Sequence, residues 1–165
     1  MFYIMDDKRH IMQIWKDEYN IGIKVIDDQH RRILEYINDL EIILEKVKYD
    51  REEVGEVLNN IIDYTQSHFT FEETLQEQAQ YQYRSPHKSV HDRFILKIES
   101  FRKRFLSGEE IEKELHKTLS KWLINHIQHD DADYVSSVKE NMQKYIDKQE
   151  QTKGKGWFSK FFNRS

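Results

Sequence analysis

A chain of 165 residues is long enough for one domain with a buried core and too short for two full ones. With 34% charged and 38% hydrophobic residues it should fold, and 26 Lys plus Arg against 30 Asp plus Glu, a net charge of -4, give no general footprint for nucleic acid. The absence of cysteine excludes disulfides, thiolate catalysis and cysteine-based zinc or iron–sulfur sites, so any metal must be held by carboxylates and some of the eight histidines.

One proline and five glycines predict long helices with few breakers, hence an all-α fold. Met1 to His10 holds no apolar run of signal-peptide length and no stretch approaches a membrane span, so a cytoplasmic location is expected. Trp15, Tyr19, Ile21, Ile23 and Val25 are too apolar for a free tail and predict an ordered N-terminal arm across the body. A first helix is predicted from Asp27, as N-cap, along Ile33, Leu34, Ile37, Leu40, Leu44 and Val47 to the polar stretch Lys48 to Asp50. Asp50 and Glu53 resemble a capping box that opens a second helix, with Val54, Leu58, Ile61, Thr65, His68, Glu72 and Leu75 on its stripe, ending near Gln78.

A third helix follows from Ser85 as N-cap and Pro86 as first helical residue, through His87, His91, Phe94, Ile98, Phe101 and Phe105 to Ser107-Gly108. Glu109 and Glu110 suit the positive end of a fourth, with Ile111, Leu115, Leu119, Trp122 and His126 on one stripe. Four amphipathic segments with short links pack most simply as an up-down-up-down antiparallel four-helix bundle. A short further helix is expected from Ala132 to about Lys148, so that residues 1–149 form the bundle domain and 150–165 a separate C-terminal tail.

His30, His68, Glu72, His87 and His91 fall on stripes that should face the core, where solvated side chains are not expected. A single histidine there is most often a core imidazole bonded to backbone, but several together need another account. Residues four apart share a helix face, so His68 with Glu72 and His87 with His91 converge on points between helices. His30 and His126 add a group from each remaining helix, which is how bundles build metal centres.

These residues resemble the hemerythrin family, most closely its bacterial members. The resemblance runs from Trp15 to Tyr134 and rests on Ile21-Gly22, Ile26-Asp27-Asp28-Gln29-His30, His68-x3-Glu72, His87-x3-His91 and Trp122-x3-His126-Ile127-x3-Asp131. It implies a non-haem diiron centre that binds O2 reversibly, for storage, delivery or sensing, and not an enzyme. By this resemblance His87, His91 and His126 hold one iron, His30 and His68 the other, and Glu72 and Asp131 bridge them together with an oxo or hydroxo group. Such a set falls one bond short of two octahedra, which leaves an open position on the two-histidine iron. Ile33, Phe69, Trp122, Leu123 and Ile127 would line the O2 pocket, although plain core packing describes them equally well.

Asp131 lies five residues after His126, roughly 140° round an ideal helix, so a bulge or a helix end is predicted near Gln128 to Asp130. Asp130 and Asp133 are the alternatives for that carboxylate. His10, His116 and His129 fall outside the pattern and read as surface histidines.

Two rivals stand beside O2 binding. A diiron oxidase or peroxidase would share the metals, but ferritin-like enzymes use Glu-x-x-His pairs and more carboxylates. A redox- or O2-responsive signalling module would act through the tail. There Gln151 to Ser165 carries Lys153, Lys155, Lys160 and Arg164 with no acid, so the rest of the chain holds 22 basic and 30 acidic residues, about -8. Its aromatics Trp157, Phe158, Phe161 and Phe162 would form one stripe if helical, to dock weakly on an anionic membrane or a protein, or else to fold back or self-associate.

Overall fold

The computed structural model describes residues 12–162, with side chains to Gln149. The chain forms five α-helical stretches: α1 Lys24–Glu45, α2 Arg51–Gln78, α3 Arg84–Leu106, α4 Glu112–Asn125 and α5 Ala132–Phe162. A π-helical turn, His126–Asp131, joins α4 to α5 without a break, so that α1, α2, α3 and the α4–π–α5 rod form the antiparallel up-down-up-down bundle.

The helix starts differ from the sequence reading for local reasons. α1 begins at Lys24, three residues before Asp27. The Asp27 carboxylate does not cap it; it reaches back to accept the N–H groups of Ile21 at 2.8 Å and Gly22 at 3.1 Å, fastening the arm to the helix. Gly22 has φ +79°, a left-handed conformation that turns the arm into α1 and that a side chain would strain. Asp50 does cap α2, accepting the Glu52 N–H at 2.9 Å.

α3 starts at Arg84, so Pro86 sits third in its first turn, where a missing N–H leaves no bond unmade. Glu109 and Glu110 precede α4 instead of opening it, and Glu109 is drawn away by Arg104 at 2.5 Å. The last helix is not short. With no proline to stop it, α5 runs 31 residues. The side chains of its aromatic stripe, Trp157 to Phe162, lie outside the described residues.

The arm is ordered, as its composition predicts. Asn38 grips the backbone of Gln13 at both ends, accepting its N–H and donating to its carbonyl, each at 3.0 Å. Trp15 packs edge-on to Tyr19, and the Arg31 guanidinium lies over the Trp15 ring at 4.9 Å. Val25, counted with the apolar residues of the arm, and Val47, placed on the stripe of the first helix, are exposed.

Away from the histidines the bundle is closed by an aliphatic and aromatic core of Leu40, Leu58, Phe101 and Leu115, all buried. The histidine end is closed by a second cluster of Ile23, Ile26, Tyr134 and Val138. Among the described residues no helix is long and apolar enough to cross a membrane.

Candidate metal centre

In an antiparallel bundle, residues early in α1 and α3 lie level with residues late in α2 and α4. His30 is in the second turn of α1, His87 and His91 in the first turns of α3, His68 and Glu72 in the last turns of α2, and His126 follows α4 directly. All therefore meet at one end of the molecule. Asp131 joins them through the π turn: an i→i+5 ladder inserts the extra residue that an α-helix lacks, bringing Asp131 Oδ1 to 3.1 Å from His126 Nε2. The bulge predicted near Gln128 to Asp130 is this turn. Of the two alternative carboxylates, Asp133 is exposed and Asp130 is half-buried and turned to the far side of His126.

The side chains form two overlapping groups, one of Glu72, His87, His91, His126 and Asp131 and one of His30, His68 and Glu72, with candidate ligand atoms within 4.8 Å of one another in each. Asp131 reaches across as well, with Oδ2 at 3.2 Å from His30 Nε2 and Oδ1 at 3.5 Å from His87 Nε2. Glu72 Oε2 lies 3.3 Å from His91 Nε2 and 3.8 Å from His68 Nε2. Glu72 and Asp131 are fully buried.

The outer nitrogens fix how the rings face. His68 Nδ1 donates to Gln29 Oε1 at 2.9 Å, His91 Nδ1 to Glu73 Oε1 at 3.0 Å and His126 Nδ1 to Asp130 Oδ2 at 3.1 Å. Each donation leaves Nε2 as a lone pair, and those of His91 and His126 face each other at only 3.2 Å. Two lone pairs so placed repel unless a cation sits between them. Around them His30 Nδ1 and Nε2, His68 Nε2, Glu72 Oε2, His87 Nε2 and both Asp131 oxygens are buried without a hydrogen-bond partner. Unpaired buried polar atoms are costly, and metal coordination satisfies them together, so these residues fit a pair of cations.

Burial holds His30 and His68 in the neutral form that a metal needs, lowering the pKa of the first and pushing that of the second down to about 4. Burial also raises both carboxyls, but at Glu72 the surrounding imidazoles, His68 foremost, prevail and hold it well below the usual range. Asp131 is pushed well above its usual value by burial and by the Glu72 charge.

The expected pocket residues surround the histidines. Phe69 stacks on His91 with centroids 3.8 Å apart, and Trp122 stacks on His126 at 4.3 Å. Ile33, Leu123 and Ile127 are buried in the same core cluster. Phe94, read from sequence as plain core, stacks on Trp122 at 3.5 Å and completes the wall.

Tyr134 went unnoticed as a site residue. Its position one turn after Asp131, and the aromatic end of the family resemblance, were the available signals. Gln29, Glu73 and Asp130 were also missed in their orienting roles, although each adjoins a candidate ligand or sits on its helix face. His129 donates to the Asn125 carbonyl and is exposed, as expected, but His116 is no plain surface residue: it pairs with buried Glu41 at 2.9 Å. His10 lies outside the described residues.

The family model described as Hemerythrin HHE cation binding domain matches residues 21–137. Bacteriohemerythrin of Stenotrophomonas maltophilia is 44% identical over 151 residues, covering 92% of this chain and 95% of that protein. Bacteriohemerythrin of Pseudomonas aeruginosa is 42% identical with the same coverage, and myohemerythrin of Sipunculus nudus is 25% identical over 122 residues. The solved structure of a wild-type hemerythrin superposes with a TM-score of 0.71 at 29% identity, over 78% of this chain and 98% of that one. The chain belongs to the hemerythrin family.

Proposed function

We propose that this protein binds O2 reversibly at a diiron centre, with His87, His91 and His126 on one iron, His30 and His68 on the other, and Glu72 and Asp131 spanning both. The observation that carries this reading is the set of imidazole lone pairs turned inward by Gln29, Glu73 and Asp130. A ferrous pair supplies two electrons and an open coordination position, which is the chemistry O2 requires.

The chain's own residues set how such a centre behaves. Three ligands are locked from behind, so the rings cannot swing away when a metal leaves or changes charge. Five neutral imidazoles against two carboxylates give a donor set with little negative charge, which supports a carrier over an oxidase that must stabilise highly oxidised iron. Phe69, Trp122, Leu123 and Ile127 present apolar surface to the site, which would keep water, and therefore protons, from the bound gas. Tyr134 donates its only proton to Glu72 and so holds that proton away from the open side.

The test is metal analysis followed by optical titration with O2 under anaerobic control. Two irons per chain and a visible band that appears with O2 and disappears under argon are expected. One metal per chain, zinc in protein expressed with ample iron, or steady turnover of an oxidisable substrate would overturn the reading.

A further inference from the structure

Away from the histidine cluster, the arm and α4 enclose an open cleft with a volume of about 780 Å³. One wall is the arm, which Asn38 fixes through the Gln13 backbone. Met12 and Ile14 project from it, and Ile14 is 74% exposed although it is a large aliphatic side chain. Ile124 and Tyr19 complete the apolar surface.

The polar part of the cleft is one-sided. Lys16, Lys121, His116 and His129 border it and, among the described residues, no carboxylate side chain does, in a chain whose acids outnumber its bases. Lys16 approaches Glu18, outside the cleft, only at 3.5 Å, and His116 is turned to the buried Glu41. Within the lining, Ser120 Oγ and Gln13 Oε1 are buried without a hydrogen-bond partner among the described residues. The serine hydroxyl has a proton to donate, and a buried donor left unpaired is costly.

An apolar trough, a basic rim free of acids and an unpaired hydroxyl match one kind of molecule, with a hydrocarbon body and an anionic oxygen head. We propose that this cleft is a binding site for an amphipathic organic anion of the aliphatic carboxylate class, the chain lying along Met12, Ile14 and Ile124 and the carboxylate taken by Lys121 and the Ser120 hydroxyl. The proposal is independent of which metal the histidines hold, because no candidate ligand lines the cleft.

Calorimetric titration of decanoate into the full chain, with 1-decanol and butyrate as comparison probes, tests it. One site per chain with a dissociation constant of tens of micromolar is expected, on the order of what a small ligand in an open cleft achieves. Lys121→Glu, an exposed position, should weaken decanoate about fivefold or more, and Ile14→Asp should weaken it about as much, while the far-UV spectrum of each variant stays that of the parent. Butyrate should bind at least about tenfold more weakly for want of a body. No saturable decanoate binding overturns the proposal, as does decanol binding as tightly as decanoate, or decanoate affinity unchanged in both variants. A concentration-dependent dimer that Ile14→Asp dissolves, with no decanoate bound, would make the cleft a contact between copies of this chain and would also overturn it.

Discussion

The Tyr134 hydroxyl donates to Glu72 Oε1 at 2.5 Å, with both side chains fully buried. The phenol approaches from α5, and burial together with the Glu72 charge raises its pKa well above the usual value, so the proton stays on the tyrosine. Glu72 thereby keeps one oxygen committed to a protein donor and presents the other to the histidines. Tyr134→Phe should destabilise the metal-free chain by about 2 kcal/mol, the order of a lost hydrogen bond to a charged acceptor. It should also lower metal affinity about tenfold, as removal of groups that orient ligands commonly does. Chelator competition measures the second effect, and an unchanged affinity would reduce Tyr134 to a packing residue.

His68→Ala and His91→Ala each delete a lone pair from one of the two groups. Iron content should fall from two per chain to one or fewer in either variant, and thermal stability of the iron-loaded protein should drop with it, because bound metal stabilises only the folded state. Full occupancy in either variant, measured by elemental analysis against protein concentration, removes that residue from the ligand set.

Leu123→Asp and Ile127→Asp place a carboxylate in the apolar wall next to His126, where both parent side chains are 1% exposed. Water drawn in by the new charge should speed loss of the oxygenated form on the order of tenfold, while most of the iron stays bound. Decay of the visible band at fixed temperature is the measurement. Equal rates in parent and both variants would locate the gas pocket elsewhere.

Acid should unfold the metal-free chain early. Unfolded His68 takes up a proton near pH 6.5, whereas the folded residue resists until about pH 4, so between these values the unfolded state binds more protons. Stability is thus fully present above pH 6.5 and is lost as pH falls toward 4, by up to about 3 kcal/mol from this residue alone. Glu72, held below its usual range, acts in the same direction at lower pH, whereas Asp131, held above its usual range, acts against both and offsets part of the loss. Urea midpoints of the metal-free chain at pH 7.5 and pH 4.5 test the sign; a higher midpoint at the acid value would contradict it.

Much of the bundle was legible because apolar residues recur every three or four positions in all four helices, and because buried-stripe histidines at i, i+4 have few explanations. Helix starts were less legible. Asp27 has the chemistry of a cap, yet its carboxylate serves the arm, a choice that depends on where Gly22 turns the chain. Asp131 could be placed only by supposing a bulge, since an α-helical ruler puts it on the wrong face. Tyr134 was invisible to periodicity because it sits beyond that phase shift, and His116 read as a surface histidine until α4 brought it against buried Glu41.

The assignment of ligands to helices has a topological consequence. α1 and α2 form one helical hairpin, which owns His30, His68 and Glu72; α3 and the π turn that follows α4 own His87, His91, His126 and Asp131. Each hairpin thus carries an imidazole half-site plus one carboxylate, and each carboxylate leans into the opposite half: Glu72 toward His91, Asp131 toward His30. Neither half is complete until the two hairpins have docked, so metal capture would act as a checkpoint on assembly, and bound ions would clasp α1 to the α4–π–α5 rod, neighbours in the bundle that no loop joins.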